Sequence, residues 1–123
     1  MVKSLNSKVD LTIKSNSYRG MPTHGDVIIG DMAFEFYNDK NPNDYYQIPW
    51  REIDHISASV IFGKWISRFA IFTKKDGYFT FSTRDNKETL RAVRKHFDEN
   101  KMFRAESIAD FINKKLNISR NKK

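Results

Sequence analysis

Apolar and polar residues alternate with a period of two along most of the chain up to Ser82, and a helical period follows. Val9, Leu11 and Ile13 alternate with Asp10, Thr12 and Lys14, which predicts a half-buried first strand. Ser15 to Pro22 is rich in Ser, Asn, Gly and Pro and reads as a loop. Val27 to Gly30 is a short apolar strand, and Gly30-Asp31 reads as a tight turn because Gly tolerates positive φ. Ala33 to Tyr37 is a strand with Phe34 and Phe36 on one face and Glu35 on the other. The polar run Asn38 to Asp44 is a loop. Tyr46, Ile48 and Trp50 then alternate around Gln47 and Pro49, and Pro49 predicts a strand end or an edge. Arg51 to His55 reads as a turn or irregular link, after which Ile56, Ala58 and Val60 resume the strand period. Gly63-Lys64 and Lys74 to Gly77 mark two hairpin turns on either side of a strand from Trp65 to Thr73. Tyr78 to Ser82, with Phe79 and Phe81 on one face, is the last predicted strand.

A helix should begin at Asp85, an N-cap residue with Glu88 three positions later, and end near residues 98–100. Leu90, Val93 and Phe97 form its apolar stripe. Ile108, Phe111, Ile112 and Leu116 lie at helical spacing, which predicts a second amphipathic helix within 101–116 and a basic tail over 117–123. There is no internal repeat and no linker. The expectation is a single α+β domain over 1–123. Its core, 8–97, is a curved antiparallel β-sheet or partly open barrel closed by a helix.

The 123-residue length suits one domain, and 10 Phe, 5 Tyr and 2 Trp can fill its core. With no Cys, disulfides, thiolate metal sites and a Cys nucleophile are excluded. No stretch has the apolar h-region of a signal peptide or approaches the ~18 apolar residues of a spanning helix. A cytoplasmic protein is expected, peripheral to the inner face of the cell membrane if its basic residues meet lipid. The net charge of +7 is uneven. Residues 24–63 carry two basic and seven acidic groups, whereas residues 64–123 carry sixteen basic and seven acidic. That second half suits phosphates, an anionic membrane surface or an acidic partner.

Candidate chemistry is sparse. His24, His55 and His96 are isolated and lack the short spacing of zinc ligands. The carboxylate pairs Asp26/Asp31, Asp39/Asp44 and Glu52/Asp54 suit turns and caps, and Asp39 to Asp44 lacks the final glutamate of a calcium loop. Nucleophile-elbow, Walker and dinucleotide motifs are missing. The reading is non-enzymatic, with no metal and no cofactor. Lys64, Trp65, Arg68, Lys74 and Lys75 surround the two hairpin turns and are the candidate partner- or phosphate-binding group. The competing reading places Trp65 in the core and leaves the lysines as solubilising loop residues. Lys114, Lys115, Arg120, Lys122 and Lys123 are candidate membrane contacts. Lys87, Arg91, Arg94 and Lys95 on the first helix are the nucleic-acid candidates. Nucleic acid is disfavoured, because no helix-turn-helix or RNA-recognition pattern accompanies them.

The order of strands and closing helix over Gly25 to Phe97 resembles the pleckstrin-homology-like fold in its bacterial, GRAM-like variants. Several runs are similar to the ManO family: Ser4-Leu5-Asn6, Lys8 to Leu11, Gly30 to Asn38, Gln47 to Trp50, Ala58 to Val60, Gly63 to Ile66 and Arg68-Phe69. That family is a set of uncharacterised proteins of Gram-positive bacteria. Its genes accompany the mannose-class sugar phosphotransferase operon, and its members are named as regulators of that operon. The resemblance implies a context and carries over no catalytic residues. It implies a regulatory adaptor that binds protein, namely the mannose-class permease or its phosphoryl-carrier subunits. The alternatives are an anionic-membrane module and, last, a DNA-binding regulator of the operon. Exposed strand edges leave self-association open.

Overall fold

The computed structural model describes residues 2–41 and 43–106. It is an α+β arrangement built on one eight-stranded open sheet. The strands are β1 (Val9–Ser17), β2 (Thr23–Gly30), β3 (Ala33–Asn38), β4 (Tyr45–Pro49), β5 (Ile53–Ile61), β6 (Trp65–Thr73), β7 (Tyr78–Thr83) and β8 (Met102–Glu106). A 3-10 turn at Trp50–Glu52 links β4 to β5, and α1 (Asn86–Arg94) follows β7. The order across the sheet is β4-β3-β2-β1-β7-β6-β5-β8. All neighbours are antiparallel except β5 and β8, which run parallel.

The sheet curls over its own aromatic side chains. Tyr46 of β4 lies 4.8 Å from the ring of Phe79 in β7, although three strands separate them along the sheet. Phe34 meets Phe69 edge-on at 6.0 Å and Phe81 at 5.0 Å. Val27, Ile29, Ile53, Ile56 and Ile71 fill the space between these rings. Helix α1 packs on β1, β2, β6 and β7 and buries Thr89, Ala92 and Val93. Asp85 caps it as the sequence predicts, accepting from the Glu88 amide at 3.1 Å. The helix stops at Arg94, a turn short of expectation, and Phe97 packs on the core from beyond its end.

Other boundaries shift for identifiable reasons. Ser15, Asn16 and Ser17 prolong β1 because they pair with both β2 and β7, so polar composition is overridden by two ladders. Gly30 is needed for close approach and not for positive φ. A Cβ there would lie 2.3 Å from the Lys8 carbonyl oxygen and 2.5 Å from the Asn6 side chain. Part of the expected second helix is also corrected. Residues 102–106 form β8, a strand that covers the outer edge of β5, with Ile56 paired to Met102 and Val60 to Glu106. Pairing with β5 sets these residues, and the helical spacing behind the prediction begins only beyond them, at Ile108. The rest of that predicted helix and the basic tail lie outside the described residues.

An N-terminal arm covers the face of β3 opposite Phe34 and Phe36. Glu35, which alternation puts on that face, has no exposed surface. Its carboxylate accepts hydrogen bonds from the Ser4 hydroxyl, the Leu5 amide (2.9 Å), the Asn6 side-chain amide (2.9 Å) and the Tyr37 hydroxyl (2.8 Å). Asn6 Oδ1 in turn accepts from the amides of Met32 and Ala33, each at 2.8 Å. The Lys8 and Ser7 amides bind Asp31, and the Lys8 bond is the main reason its carboxyl titrates below the usual range. Burial raises the Tyr37 phenol above its ordinary value.

Candidate functional site

Strand β4 ends one side of the sheet, and among the described residues β3 is its one strand neighbour. At the opposite margin β8 is the last strand, and among the described residues β5 is its one strand neighbour. The outer side of β4 faces a cleft of about 750 Å³. One wall is β4 itself, with Tyr45, Tyr46, Gln47 and Ile48. The other is the β6–β7 loop with Lys74, Lys75 and Asp76, and Arg51 and Glu52 close one end. That volume falls within the range of small-molecule pockets.

The cleft has an aromatic floor and a mainly basic rim. Tyr46 and Phe79 form the floor, and the Arg19 guanidinium stands 5.0 Å from the Phe79 ring and 6.0 Å from that of Tyr46. This geometry suits cation–π attraction. Arg51, Lys74 and Lys75 stand against Glu52 and Asp76 on the lining, and with Arg19 the balance is positive. The lysine loop is held in place by its own turn. Thr73 Oγ1 donates to the Gly77 carbonyl and accepts from the Asp76 amide, both at 2.8 Å. Gly77 supplies the positive φ, 75°, that closes it. The Lys74 amide donates to the Glu52 carbonyl at 2.9 Å, which ties the loop to the 3-10 turn.

The five sequence-predicted contact residues do not form one surface. Lys74 and Lys75 line the cleft. Lys64 and Trp65 sit at the β5–β6 turn, at the other end of β6, and both are exposed. Arg68 lies between, its guanidinium 4.0 Å from the Tyr18 ring centroid. Trp65 is 62% exposed, which rules out the core position weighed for it. Lys114, Lys115, Arg120, Lys122 and Lys123 lie outside the described residues. On α1, Lys87, Arg91 and Arg94 line a separate hollow with Glu99, and Arg94 approaches Glu99 at 4.0 Å.

The histidines are engaged separately. His24 bonds Asn16, and His96 pairs with Asp10 while stacking on Trp50 at 5.7 Å. His55 bonds Asp54 at 2.7 Å and stacks on Phe72 at 4.3 Å. The His55 hydrogen bond lowers the Asp54 carboxyl below its ordinary value. Among the described residues no three His, Asp or Glu side chains gather as metal ligands.

Sequence reasoning missed Arg19, Tyr46, Arg51 and Phe79 as site residues. The signal for Tyr46 was legible, because it precedes an edge-marking Pro49 in a strand of alternating aromatics. Arg19 and Phe79 meet only through the curl of the sheet. A family model described as "Domain of unknown function (DUF956)" matches residues 1–116. The chain belongs to that family. No curated protein matches the chain. Among solved structures, the family member described here is similar to "Crystal structure of the C-terminal domain of an unknown protein from Leishmania infantum". The two share a TM-score of 0.62 and 13% identity, over 72% of this chain and 83% of that one. At that identity the likeness is one of fold alone. Among the described residues no helix is long and apolar enough to cross a membrane.

Proposed function

We propose that this member of the family is a non-enzymatic, cytoplasmic adaptor that binds protein at the β4 cleft. In this reading the sheet and helix are a pleckstrin-homology-like scaffold and the chain is of the ManO type. The partner is the mannose-class sugar permease or one of its phosphoryl-carrier subunits. One observation supports the reading most: the single-neighbour edge of β4 lies beside an aromatic floor and a mainly basic rim. An extended partner segment can add to such an edge through main-chain hydrogen bonds while alternate side chains enter the cleft. Lys74, Lys75 and Arg51 then face acidic or phosphorylated groups through charge-assisted hydrogen bonds.

The test is capture of purified permease and phosphoryl-carrier subunits, phosphorylated and unphosphorylated, on the immobilised protein. Reversal of Lys74 and Lys75 to Glu should weaken binding about tenfold or more and flatten its salt dependence. Equal capture by the parent and the reversed variant removes the cleft from the reading.

A further inference from the structure

The β5–β6 turn carries a second surface, remote from the cleft. Phe62 and Trp65 are 61% and 62% exposed there, on either side of Gly63 and Lys64. The turn closes through the Lys64 amide and the Ile61 carbonyl at 3.1 Å. Its central residues, Phe62 and Gly63, have φ of 52° and 68°. Asn, Asp or Gly ordinarily fills the first of these positions, and a bulky aromatic there is an outlier. The backbone therefore presents Phe62 at the tip against its local preference, and such strain collects at functional positions.

Residues 55–75 contain no Asp or Glu; Lys64 lies in the turn itself and Arg68 part-way along β6. Arg104 of β8 donates from Nη2 to the Gly63 carbonyl at 3.1 Å, which fixes a guanidinium at the tip. Because β8 runs parallel to β5 and pairs Glu106 with Val60, β8 ends at this same end of the sheet.

We infer that the β5–β6 turn anchors the protein on an anionic lipid bilayer, with Phe62 and Trp65 entering the headgroup region and Lys64 and Arg104 meeting lipid charge. A projecting pair of aromatics suits a fluid interface, which shapes itself around the tip. A folded partner needs roughly 800 Å² of complementary surface on each side. The Trp ring, apolar with one N–H, favours the headgroup level, and each basic group near an anionic leaflet adds attraction.

Binding of the full chain to vesicles of phosphatidylglycerol and phosphatidylcholine in equal parts, with phosphatidylcholine alone as control, tests this. Only two Trp are present. Trp50 is half-buried with its indole N–H donated to the Gly30 carbonyl at 3.0 Å, so Trp65 is the expected reporter. The mixed vesicles should shift emission to the blue, and Trp65→Phe should abolish the shift. Lys64→Ala should weaken binding about fivefold, the effect of one basic group at such a surface. Trp65 is mostly exposed, so Trp65→Ser removes the anchor without opening the core. An unshifted emission overturns the proposal. So does undiminished vesicle binding by the combined Trp65→Ser and Lys64→Ala variant, which would assign the affinity to other basic residues. Neither result bears on the β4 cleft.

Discussion

Glu35 receives four hydrogen bonds on two oxygens, all from neutral donors, and three come from the arm at Ser4, Leu5 and Asn6. A carboxylate suits this place because it has acceptor capacity for every donor and no hydrogen to set against them. Glu35→Gln keeps the shape but turns an NH₂ group toward N–H and O–H donors. The expected cost is about 2 kcal/mol, the order of leaving buried donors unpaired. Urea unfolding should show a lower midpoint with an unchanged slope. An unchanged midpoint would mean that the carboxylate does not hold the arm. This clasp was hidden from strand alternation for a physical reason. Alternation placed Glu35 correctly on the face opposite Phe34 and Phe36, but residues some thirty positions away cover that face. Period two reports which side a residue takes, and burial depends on what lies over that side.

At the scale of elements, legibility followed the range of the controlling interaction. The Asp85 cap and the hairpin turns at Gly63 and Gly77 are set by neighbours a few residues away, and they stand where the sequence predicts. The polar end of β1 and all of β8 are set by strands distant in sequence, and local composition did not reveal them. The β5–β6 turn joins both cases. Its position was legible, while the positive φ of Phe62 was not. Left-handed backbone costs a side-chain-bearing residue about 1 kcal/mol or more, and Asn pays less of it. Phe62→Asn should therefore raise Tm by about 4 °C, the thermal equivalent of that relief in a small domain. It should also weaken binding to the anionic vesicles. Phe62 makes contacts of its own. A fall in Tm would mean that these contacts outweigh the turn strain, and the exchange of stability for function would then be withdrawn.

For the molecule as a whole, the two proposed surfaces lie at opposite ends of β6. Five candidate residues close in sequence looked like one patch because they flank two consecutive hairpin turns. Consecutive turns on one strand must point in opposite directions, so adjacency in sequence here implies separation in space. Strand β6 has nine residues, roughly 26 Å end to end at about 3.3 Å per residue. Screening at physiological salt acts over about 8 Å, so Lys74 and Lys75 should not feel a bilayer that holds Trp65. Substitutions this far apart with no shared partner are expected to add. Lys74→Glu with Lys75→Glu should impair subunit capture and leave vesicle binding near the parent value. Trp65→Ser should do the reverse, and the combined variant should show both losses without excess. The parent alone should then carry captured subunit onto the anionic vesicles in sedimentation, because one end holds lipid while the other holds protein. Loss of vesicle binding in the lysine variant to the extent seen with Trp65→Ser would contradict this division. It would indicate that both ends meet the same surface, which a nine-residue strand permits only if the sheet lies flat on it.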